Sequence, residues 1–122
     1  MAAPNIAFEA PECGHQPRPS GSRPVDLVHL ACQTGGDKSL ESEVLALFAR
    51  QARQSVNEMA RLDTEGRKAL AHKILGSAKG IGAFEVARCA GLVEARPGDL
   101  GAVAAFTKAV VDADNFIVGL SR

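Results

Sequence analysis

From Asp37 to Arg122 apolar side chains return every three or four residues, and the rhythm breaks at only three places. That period buries a stripe along a helix, whereas a strand with one buried face alternates, and no segment here alternates. Leu40, Val44, Leu47, Phe48, Ala52, Val56 and Met59 mark a helix over about 38–61, with Asp37 placed to cap its first turn. Asp63 or Thr64 can cap the next, whose stripe is Leu70, Ile74, Ser77 or Ala78, and Ile81, and which runs to about Gly80. Gly82 permits a break, after which Ala83, Val86, Ala87, Ala90 and Val93 begin a stripe that ends before Pro97-Gly98. Asp99 caps the last stretch, where Val103, Phe106, Val110, Ala113, Ile117 and Leu120 repeat at helical spacing.

Upstream, Val25, Leu27, Val28, Leu30 and Ala31 suggest a short helix that opens after Pro24 and stops at Gly35-Gly36, with His29 as a packing or surface residue within it. Residues 1–24 carry five of the six prolines, and Pro, Gly and Ser leave no hydrophobic period from Pro11 to Pro24. A disordered tail or linker is expected there, with Ile6 and Phe8 its only sizeable apolar side chains, and a folded domain over 25–122. Short connections turn consecutive helices antiparallel. The expected fold is therefore all-α, an up-down-up-down four-helix bundle with a short extra N-terminal helix. Phe48, Phe84, Phe106 and Phe116 are expected in or beside its core, while Arg50, Arg53 and Arg61 fall off the apolar stripe onto a solvated face.

Fourteen basic and fourteen acidic side chains cancel, so nothing draws the chain generally to nucleic acid or to an anionic membrane. Without Trp or Tyr it also lacks most platforms on which bases stack. No run of 18 apolar residues and no signal-peptide pattern occurs, so a cytoplasmic protein is expected. Cys13, Cys32 and Cys89 are odd in number and widely spaced, which reads as reduced thiols rather than a metal finger. Cys13-Gly14-His15 offers two ligands at most, and the facing Glu-x-x-His pairs of a metal-binding bundle are missing, so no metal site is expected.

His72 lies off the apolar stripe of its helix, with Lys68, Leu75, Gly76 and Lys79 as its neighbours on that face. Gly76 costs a helix roughly 1 kcal/mol relative to alanine, and Gly80 and Gly82 add to that. Small residues beside an exposed imidazole suggest that something must come close. The run His72-x-Ile74-x-Gly76-Ser77-Ala78-x-x-Ile81-Gly82-Ala83 resembles the signature of histidine-containing phosphotransfer (HPt) domains. Val25-Asp26-Leu27, Gly35-Gly36-Asp37 and Leu40 through Phe48 resemble that family's first helix, turn and second helix, so the likeness covers most of residues 25–95.

The resemblance implies a four-helix bundle whose His72 accepts a phosphoryl group from a receiver aspartate or a sensor (hybrid) histidine kinase and passes it to a response-regulator receiver domain. Gly76 would keep the approach open, with Ser77 packing or hydrogen-bonding beneath the site. The chemistry suits an imidazole, whose unperturbed pKa near 6.5 leaves a ring nitrogen, expected to be Nε2, free to attack phosphorus without a separate base. The partner would bring Mg²⁺, and this chain would bind no cofactor of its own. One departure stands out: the family's usual Lys or Arg three residues after the histidine is Leu75 here. Lys68, Lys73 and Lys79 are the candidate replacements, and Leu75, Gly76 and Lys79 the candidate docking contacts. No Gly-x-Gly-x-x-Gly loop or Walker-type motif is present, so the expected role is a monomeric phosphohistidine carrier without its own ATP-dependent kinase activity. The alternative is a receiver-docking bundle that does not cycle phosphate.

Overall fold

The structure is a computed structural model and describes residues 23–120. All regular structure among them is helical: α1 (Leu27–Thr34), α2 (Lys38–Met59), α3 (Thr64–Ile81), α4 (Phe84–Ala95) and α5 (Leu100–Leu120). Apart from Arg23 and Pro24, the tail expected over 1–24 lies outside the described residues, as does Cys13.

Four aspartates set where helices begin, each accepting backbone N–H groups that have no partner in a first turn. Asp26 accepts from Val28 and His29 at 3.0 and 3.1 Å, Asp37 from Leu40 at 3.1 Å, and Asp63 from Gly66 at 2.8 Å. Asp99 accepts from Gly101 at 2.8 Å. The first helix thus opens at Leu27, and Val25 is buried ahead of its cap. At the other ends, Gly35 and Gly82 turn the chain out of α1 and α3 with φ of +66° and +89°. Gly82 is the more constrained, because a Cβ there would stand 2.8 Å from the Asp26 carbonyl oxygen. The Asp26 N–H donates to the Gly82 carbonyl at 2.9 Å, stitching the start of α1 to the corner between α3 and α4.

Helix α3 packs on α2 and α4, α5 packs on α4 and α2, and α1 lies across α2 and α3. Phe106, Met59, Ile74, Val86 and Val93 are sealed between them. Complete burial of one such side chain stabilises by roughly 1.5–3 kcal/mol. Ala71, Ala78, Ala83, Ala87 and Ala90, all buried, let α3 and α4 approach closely. That closeness fixes what α4 can present to the outer face of α3.

Several expected core positions differ. In α2 the buried face is Leu45, Phe48, Ala49, Ala52, Ser55 and Met59, while Leu47 is 61 % exposed and Leu40 41 %. Residues 44–49 are apolar on every side, so periodicity admits two faces, and packing against both α3 and α5 selects the one with Leu45 and Ala49. Ser55 tolerates burial because its hydroxyl donates to the Ala52 carbonyl at 2.6 Å. Phe84 is 40 % exposed and meets the ring of His29 edge-on at 5.1 Å rather than entering the core. In α5, Ala102 and Ala109 are buried, Val103 is half-buried and Leu120 is exposed. Arg53 is paired with Asp114 at 2.6 Å instead of being merely solvated. Cys89 is a free buried thiol, whereas Cys32 is disulfide-bonded, which corrects the expectation that all three cysteines are reduced. Among the described residues no helix is long and apolar enough to cross a membrane.

Candidate functional site

Ala71 and Ile74, both fully buried, fix the rotation of α3 and turn the intervening face outward, leaving the His72 side chain 74 % exposed. The ring is nevertheless not loose. Its Nδ1 lies 2.9 Å from the Glu94 carboxylate, which belongs to the last turn of α4. A carboxylate only accepts, so this partner assigns the Nδ1–H tautomer and leaves the Nε2 lone pair directed outward. An exposed pair of this kind adds little to stability. What it supplies is direction.

The end of α4 is itself held. Arg67 Nε donates to the Met59 carbonyl at 2.9 Å and its Nη1 donates to the Pro97 carbonyl at 3.1 Å. One guanidinium therefore joins the end of α2 to the turn after α4, three residues beyond Glu94.

Around the ring the surface is open. Glu65, Lys68, Ala69, His72 and Glu94 line a shallow depression of about 370 Å³. On the other side of His72, a Cβ added at Gly76 or Gly80 would meet nothing within 4 Å, so neither glycine is there to admit a neighbouring helix. Leu75 is not an exposed residue. It is half-buried in the seam between α3 and α4, where its Cδ1 would stand 3.4 Å from a Cβ at Gly91.

The three lysines are exposed, and among the described residues none of them forms an ion pair. Only Lys68 lines the depression with His72. Lys79 lies on the same face about 10 Å farther along the axis, and Lys73 is rotated by about 100°. Ser77 is half-buried and about 140° round the helix from His72, toward the interior. His72, Lys68 and Gly76 are thus brought together, and Ser77 and Lys73 are not.

Sequence reasoning missed Glu94. The available signal was its position on the line Ala87, Gly91, Glu94, the flank of α4 that faces α3, where a carboxylate at the end of an apolar seam needs a partner.

Elsewhere on α4, Arg88 bonds Glu85 at 2.6 Å and holds that carboxyl below its usual range, while burial pushes the Cys89 thiol up. Among the described residues no three His, Cys, Asp or Glu side chains converge where a metal ion could sit. In comparisons with known proteins, no family model, no curated protein and no solved structure matches the chain.

Proposed function

We propose that the chain is a histidine phosphotransfer protein of the HPt kind, which takes a phosphoryl group on His72 from a receiver aspartate or a sensor histidine kinase and delivers it to a response-regulator receiver. The observation that carries this reading is a largely exposed imidazole whose Nδ1 is held by Glu94, which leaves Nε2 as the nitrogen free to react, with a bare turn at Gly76 on the same helix face. In this reading α2 to α5 form the up-down-up-down bundle and α1 is the short extra helix. Support comes from connections of a few residues and from packing that runs α2–α3–α4–α5 and back to α2 without diagonal contacts.

The Nε2 lone pair attacks the phosphorus of the receiver's aspartyl phosphate, the P–O bond to the aspartate breaks, and the carboxylate leaves on the receiver. The ring gains positive charge as the new N–P bond forms, and the Glu94 carboxylate stands against it on Nδ1–H. No base has to remove a proton, because the attacking nitrogen carries none. The receiver supplies Mg²⁺ and in-line alignment, and this chain supplies the nucleophile and exposed lysines. Gly76 lets the partner's backbone or side chains approach, with Lys79 and the edge of Leu75 as docking contacts and Ser77 and Lys73 as more distant support. In this reading the protein meets its partners in the cytoplasm and acts as a monomer.

The alternative is a receiver-docking bundle that does not cycle phosphate, hinted at by Leu75 in the place of the usual Lys or Arg; Leu75 is half-buried against α4, with only its edge left for docking. Transfer of label from phosphorylated receiver domains to the wild type, compared with His72→Gln, tests the reading.

A further inference from the structure

We infer that Lys68, on the turn before His72, is the cation that binds the phosphoryl group, so that the anion sits on the N-terminal side of the histidine. This deepens the relay reading and rests on it. Lys68 and Ala69 stand on the turn before His72, neighbours of the ring on the helix surface. Those two residues line the depression beside the ring, together with Glu65 and Glu94. On the C-terminal side, position 75 offers a half-buried leucine, 76 and 80 are glycines, and Lys79 is about 10 Å along the axis.

Charge gives a second, independent reason. A phosphoryl group on Nε2 is a dianion placed beside two carboxylates, Glu65 and Glu94, which raise its energy unless a cation offsets them. Lys68 is the cation lining that depression, and among the described residues no ion pair engages its ammonium. Its four-residue offset corresponds to about 6 Å of rise, within the span of a lysine side chain.

The test needs no protein partner. Phosphoramidate loads exposed histidines: the Nε2 lone pair forms the N–P bond, the donor's own P–N bond breaks, and ammonia leaves with the proton that the donor nitrogen carried. The ³¹P resonance absent from His72→Gln identifies the phosphoryl group on His72, and its pH titration gives that group's pKa. Replacing Lys68 by Gln should raise this pKa by about half a unit, the effect of one exposed charge at about 6 Å across water. Replacing Lys79 by Gln should raise it by at most about a third of that, because screening grows with distance, and Lys73→Gln should also raise it less than Lys68→Gln, because Lys73 projects about 100° away round the helix. Lys68 is exposed, so its variant keeps the fold, which circular dichroism checks. If Lys79→Gln or Lys73→Gln gives the larger shift, or all three are equal, the inference is overturned while the relay reading stands. If neither phosphoramidate nor any phosphorylated receiver loads His72 of the wild type, both fall together.

Discussion

An exposed histidine turns about two side-chain torsions, and most of its orientations aim neither nitrogen at an approaching group. The 2.9 Å contact between Nδ1 and Glu94 selects one orientation and one tautomer. Glu94→Gln keeps the shape and an acceptor oxygen but removes the charge that faces the developing imidazolium. Single-turnover transfer from a phosphorylated receiver should then slow about tenfold, equivalent to about 1.4 kcal/mol, with the helical spectrum unchanged. Equal rates would mean that Glu94 merely neighbours the ring. This residue was illegible in the sequence because it stands 22 positions from His72, and only the packing of α3 on α4 brings the two together. His72, Lys68 and Gly76 were legible because they belong to one helix, where spacing alone decides which side chains are neighbours. Cys89 carries a prediction of a different sort. Burial raises its folded-state pKa, with the charge of Glu85 adding to the effect, so the unfolded chain loses the thiol proton first. Stability is thus fully present below the ordinary thiol value of about 8.5 and declines as pH rises through it. Denaturant titrations between pH 7.5 and pH 10 should show that decline in the wild type, and a smaller one in Cys89→Ala.

Gly76, Gly80 and Gly82 look alike in sequence but differ at the level of the element. Gly76 and Gly80 have helical backbone and open space around them, whereas Gly82 sits at φ +89° against the Asp26 carbonyl. Gly76→Ala should stabilise the protein by roughly 0.5–1 kcal/mol, the usual difference in a helix interior. The relay reading adds that it should slow transfer, since the new methyl group stands on the approach to His72. Gly82→Ala should destabilise by about 1–3 kcal/mol, because the left-handed backbone and the close carbonyl both oppose a side chain. Urea midpoints of the three proteins check both signs. Helix boundaries were legible to within a residue or two because Asp37, Asp63, Asp99, Gly35 and Gly82 mark them chemically. The buried face of α2 was not. Val44, Leu45, Ala46, Leu47, Phe48 and Ala49 run apolar all round the helix, and which of them is covered depends on two neighbours that periodicity does not describe.

For the whole molecule, closely packed α3 and α4 form the seam that holds the candidate site, and the Arg67 bridge and the Asp26–Gly82 stitch tie its surroundings together. The all-helical class followed from the apolar period, but Phe84 shows where period stops informing. It begins a helix with core-like spacing, yet α1 meets it through His29 and leaves its ring partly in water. In the proposed reading, exposed lysines at 68 and 79 on the face of an oriented, exposed imidazole serve a carrier that receives phosphate from one protein and yields it to another. The most direct measurement of that claim is to incubate the purified chain with a panel of ³²P-labelled receiver domains and Mg²⁺, following label on wild type and on His72→Gln. The account predicts acid-labile, base-stable label on the wild type and none on the variant. Binding of a receiver without transfer to either protein, or equal labelling of both, would contradict it.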